Sequence, residues 1–151
     1  MTSILAAMAA VALIPSSQAE EEHHHHEAKI AGPNGGRVIT VVEPHVEFFR
    51  RDDGKVQITS VDDEGKAQAW GTQIISVTGG ERAHPAKLTF TREGEVLVSD
   101  QAFPEGKSLP VVVSIQSAPD EKAVYERFKL NLANCPGCEH AEYACTCEHE
   151  H

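Results

Sequence analysis

A chain of 151 residues is long enough for one domain with its own core. Its net charge of −10 is carried by the two ends. Residues 29 to 129 hold all thirteen basic residues and fifteen of the acidic ones, while the flanks hold the other eight acidic residues and nothing basic. A near-neutral middle between acidic ends disfavours nucleic acid and anionic membrane as partners and favours cations.

Residues 4 to 14 form an uninterrupted apolar run, broken by Pro15 and followed by Ser17-Gln18-Ala19 with small residues at −3 and −1. This pattern predicts a signal peptide over 1–19 and export to the periplasm, although no Lys or Arg precedes the run. Eleven apolar residues are too few to span a bilayer. No cysteine follows the run before Cys135, so the mature chain is expected to be soluble, with no membrane insertion after cleavage. Residues 20–31 have no apolar periodicity and read as a disordered His/Glu-rich arm that carries His23, His24, His25 and His26.

The domain is expected over 32–133. It opens on the turn cluster Gly32-Pro33-Asn34-Gly35-Gly36. Strands are predicted over Arg37 to Glu43, His45 to Arg50, Lys55 to Val61, Gln73 to Thr78 (stopped by Gly79-Gly80), Lys87 to Arg92, Val96 to Val98, Leu109 to Ser117 and Ala123 to Leu132. Turns fall at Asp52-Asp53-Gly54, Asp62 to Gly65 and Glu93-Gly94-Glu95. Seven to eight short strands with regular turn signals, and no helical stripe, predict an all-β fold: a single antiparallel β-sandwich, immunoglobulin-like, with disordered ligand-rich tails. No cysteine lies in a strand, so the core must hold by burial of Val, Ile, Leu and Phe. Trp70 is expected as a core or edge anchor.

The Gly-Pro-Asn-Gly-Gly opening, the Pro44-His45-Val46-Glu47-Phe48-Phe49 stretch and the ending Cys135-Pro-Gly-Cys-Glu-His-Ala-Glu-Tyr-Ala-Cys-Thr-Cys147 resemble small exported bacterial β domains that begin Gly-Pro-(His or Asn)-Gly-Gly. These are largely uncharacterised, and some are associated with heavy-metal efflux systems. The resemblance implies an exported, metal-related domain and carries over no catalytic residue.

The tail, 134–151, holds all four cysteines. In Cys135-x-x-Cys138 a Pro-Gly turn can bring two thiolates to one side of a metal ion. In Cys145-x-Cys147 two sulfurs can clasp one soft ion. The loop between the pairs is shorter than in zinc fingers and ribbons, so those folds are not indicated. His140, His149 and His151, with His23 to His26, add imidazoles that suit Zn, Cu, Ni or Co. The ligand set predicts Zn(II) or Cu(I/II), with a metal-efflux component as a candidate partner. The mature segment has no Met, which excludes a Met-rich copper carrier. Exported cysteines also form disulfides, and three pairings are open. The alternative reading is therefore a β-sandwich interaction module with a disulfide-stapled tail. Thiol-disulfide catalysis would require the CxxC at a helix N-terminus, and here it follows a strand. His45 and His84 are a further pair that could meet at one end of the sandwich. There is no GxSxG, HExxH or phosphate-binding glycine loop, and the chain is not expected to be an enzyme.

Overall fold

Alternating apolar positions and Gly-bearing turns build two antiparallel sheets. The structure is a computed structural model that describes residues 29–147. The predicted signal peptide and most of the His-rich arm lie outside those residues. The strands are β1 (Arg37–Ile39), β2 (His45–Arg50), β3 (Val56–Val61), β4 (Ile74–Glu81), β5 (His84–Leu88), β6 (Phe90–Glu93), β7 (Val96–Ser99), β8 (Ser108–Gln116) and β9 (Val124–Asn131). One sheet has the order β1-β2-β3-β7-β6 and the other β5-β4-β8-β9. Leaving out β1, these orders are the A-B-E-D and C′-C-F-G arrangement of an immunoglobulin-like sandwich. All four cysteines are unbridged and lie after β9.

The sheets close on side chains that face inward at every second position. Val46, Phe48, Val56 and Ile58 from one sheet meet Val77, Val111, Val113 and Ile115 from the other, and all are buried. Trp70, in the loop between β3 and β4, is buried in the same cluster and serves as a core anchor. Phe103, from the loop before β8, is also buried there.

Three boundaries differ from the sequence pattern. The first strand stops at Ile39, and the chain bends through residues 41 to 44 before β2. β4 runs through Gly79-Gly80 to Glu81. Gly79 lies in the strand because a Cβ there would collide with the Phe103 ring. The segment expected as one strand from Lys87 to Arg92 is two, β5 and β6, which pair in different sheets. Thr89, between them, is where the chain crosses from one sheet to the other.

The segment from 134 to 147, expected as an appended tail, lies against the sandwich. Glu142 to Ala144 form one 3-10 turn that buries Tyr143 and Ala144 in the core. The Tyr143 ring stands edge-on to Phe48, with centroids 6.2 Å apart, and stacks on Phe128 at 6.5 Å. Phe48 and Phe128 meet edge to face at 5.2 Å. The Tyr143 hydroxyl accepts a hydrogen bond from the Arg50 N–H at 3.2 Å. Burial raises the Tyr143 phenol above its usual pKa.

Candidate metal centre

A short backbone hairpin starts where β9 ends. Glu142 N–H donates to the Ala133 carbonyl at 2.8 Å and Cys135 N–H donates to the His140 carbonyl at 2.9 Å. Asn134 and Ala141 form a bridge between them. Cys135-Pro136-Gly137-Cys138 turns at the hairpin tip. The 3-10 turn then redirects the chain so that Cys145 and Cys147 come back over the tip.

The result is convergence of all four sulfurs. Their Sγ atoms lie within 4.8 Å of one another. Cys135 Sγ is 3.3 Å from Cys145 Sγ and 4.0 Å from Cys147 Sγ. Metal–sulfur bonds of about 2.3 Å to a tetrahedral Zn(II) imply sulfur–sulfur edges of about 3.8 Å. The 3.3 and 4.0 Å separations bracket that edge. A disulfide requires about 2.05 Å, so the four sulfurs are unbridged and close enough together to hold one ion. Cys135 and Cys145 are buried; Cys138 and Cys147 are partly exposed.

Backbone N–H groups surround the cluster. Gly137 N–H points at Cys135 Sγ at 3.4 Å, and Cys147 N–H at Cys145 Sγ at 3.3 Å. Cys138 receives N–H bonds from His140 and Thr146, which lower its pKa to about 6. Burial and the other three sulfurs push Cys147 up to about 12. Its hydrogen bond with Cys135, and then burial, raise Cys145. One thiolate is thus favoured without metal, and crowding resists further negative charge. A cation at the centre removes that resistance. The donor set fits Zn(II), Cu(I) or Cd(II) and does not fit Mg or Ca.

The predicted ligands divide into three groups. The four cysteines come together. His140 serves through its backbone carbonyl, and its ring lies against Gly35, where an added Cβ would sit 3.6 Å from Nδ1. It is outside the ligand group. His149, His151, His23, His24, His25 and His26 lie outside the described residues. His45 and His84 do not form a shared group: His45 is buried at the start of β2, and His84 is exposed at the start of β5 in the other sheet.

The Gly-Pro-Asn-Gly-Gly stretch has a role the turn reading missed. It wraps around Glu47, which is fully buried in β2. Asn34 N–H and Gly36 N–H donate to Glu47 Oε1 at 2.9 and 2.8 Å, and Asn34 Nδ2 donates to Oε2 at 2.7 Å. A Cβ at Gly32 or Gly36 would strike the Glu47 side chain, so both positions require glycine for this close approach. Gly35 then carries the loop to His140. The only sequence signal was a charged residue between Val46 and Phe48, where a strand with one wet face would also put one.

Comparison with protein-family models, with curated proteins and with solved structures finds no match. No helix among the described residues is long and apolar enough to cross a membrane.

Proposed function

We propose that this chain is an exported metal-binding accessory protein. It holds one thiophilic ion, Zn(II) or Cu(I), on Cys135, Cys138, Cys145 and Cys147, and buffers that ion or hands it to a metal-efflux component. The observation that carries the proposal is the convergence of four sulfurs within ligand distance. Export rests on the apolar run and small-residue site before residue 20. The acidic ends and the histidine tracts support cation capture. Four thiolates complete a tetrahedral shell and leave no open position for a reacting molecule, which favours binding over catalysis.

Anaerobic titration of the reduced full chain with Zn(II) and with Cu(I) tests the reading. The expected result is one ion bound more tightly than micromolar, with release of protons, and loss of that binding when all four cysteines are changed to Ser. Weak binding that survives the four substitutions would refute it. Fractionation of the producing cell tests export separately.

A second reading, an interaction module with a disulfide-stapled tail, has one observation in its favour. Cys135 and Cys145 are the buried pair at 3.3 Å, and a small movement would bond them. Thiol counting on freshly isolated protein separates the readings. Bound metal with four reactive thiols after its removal supports the first; no metal and no free thiol supports the second.

A further inference from the structure

The β2–β3 ladder brings together a second group of ligands that shares no residue with the thiolates. His45 opens β2 and pairs with Val61 at the end of β3. The chain turns directly after Val61, so Asp63 comes back over His45. Asp62 is committed to the turn, with its Oδ1 accepting from Glu64 N–H and Lys66 N–H. Asp63 is free of that task, and its Oδ1 lies 3.6 Å from His45 Nε2. Glu43, two residues before the strand, places Oε1 3.6 Å from His45 Nδ1. One ligand atom from each of Glu43, His45 and Asp63 lies within 4.8 Å of the others.

The imidazole is oriented as a ligand would be. Its side chain is only 10% exposed. Nδ1 lies 2.8 Å from the Val42 carbonyl. A carbonyl only accepts, so Nδ1 donates the proton, and in the neutral ring Nε2 presents its lone pair. Metal-bound histidines are fixed by this kind of bond from the far ring nitrogen to a backbone carbonyl. Among the described residues Nε2 makes no hydrogen bond, and what faces it is a carboxylate, which has only lone pairs to offer. With the ring neutral, two acceptors face each other across 3.6 Å, a contact that either a proton on Nε2 or a metal cation between them relieves.

We propose that Glu43, His45 and Asp63 form a second metal site, an open nitrogen-and-oxygen site for a borderline divalent first-row cation. His45 Nε2 and the Asp63 carboxylate are its primary ligands. The exposed Glu43 carboxylate lies beside Nδ1, within the wider 4.8 Å group, and water fills the remaining positions. The site differs from the thiolate centre in donor type and in access. It takes and releases its ion at the surface, and it prefers harder ions than four sulfurs do.

Mn(II) is the probe. It stands at the bottom of the divalent affinity order and so does not displace Zn(II) from thiolates. The full chain is loaded with one equivalent of Zn(II), titrated with Mn(II), and followed by amide proton–nitrogen spectra, in which the paramagnetic ion broadens nearby signals. The expected result is broadening centred on Val42 to Val46 and Val61 to Glu64, lost in Asp63→Asn. That side chain is 83% exposed, so the substitution leaves the fold intact. His45→Gln should lose the same broadening, with unchanged remote amide shifts reporting its fold. Broadening confined to the chain ends, none at all, or a pattern unaltered by Asp63→Asn would overturn the site. Because no cysteine takes part, failure here leaves the thiolate proposal standing, and the cysteine amide shifts on Zn(II) addition report that centre independently.

Discussion

The sandwich and the C-terminal segment are held by different physics. The sandwich closes on two inward faces of branched and aromatic side chains. The segment from 134 to 147 contributes two core residues, Tyr143 and Ala144. For the rest it relies on a frame of backbone hydrogen bonds and on four sulfurs that repel one another once ionised. Burial therefore fixes where the segment docks, while the backbone turns around it bring the four sulfurs together.

Phe48 of β2 touches both regions, through the core and through the Tyr143 ring. Phe48→Ala should cost about 3–5 kcal/mol and lower the denaturant midpoint and the metal affinity together. If affinity is unchanged in the folded variant, the segment does not depend on the sandwich. Glu47→Gln comes next. It sets an amide nitrogen against N–H donors inside the loop that supports His140. The expected cost is about 1–3 kcal/mol in chemical denaturation, with a weaker metal site as well.

The segment alone should respond to pH. Cys145 and Cys147 have raised pKa values and keep their protons at neutral pH; Cys138, lowered to about 6, does not. A metal must expel the protons on Cys145 and Cys147. Apparent Zn(II) affinity should therefore rise with pH, by about tenfold or more per unit, and fall more steeply below about pH 6, where Cys138 also protonates. Isothermal titration at pH 6, 7 and 8 checks this, and the sandwich's own stability should not follow the same curve. The smallest effect is at the joint. Tyr143→Phe keeps the ring and removes the acceptor for Arg50 N–H, costing about 1 kcal/mol in a melt of the metal-free protein.

The strands were legible in the sequence because alternation is local: Lys55 to Val61 and Leu109 to Ser117 each predict their strand to within one residue. The crossing at Thr89 was not, since nothing local distinguishes a strand that continues from one that changes sheets. Gly79-Gly80 looked like a stop, because the Phe103 ring that requires Gly79 comes from more than twenty residues away. At the metal centre the cysteines were readable by type and spacing. Their meeting point depends on Tyr143 docking against Phe48 and Phe128, which no spacing rule conveys. The predicted places of His45 and His84 allow them to meet at one end of the sandwich, and the fold keeps them apart. The actual neighbour of His45 is Asp63, brought over it by the turn after β3.

Four sulfurs are proposed to share one ion. X-ray absorption at the zinc edge of the full chain, loaded with one equivalent of Zn(II) under reducing conditions, tests it most directly. The expected result is a single shell of four sulfur scatterers at about 2.3 Å. A shell of nitrogen and oxygen scatterers at about 2.0–2.1 Å, with two sulfurs or fewer, would contradict it.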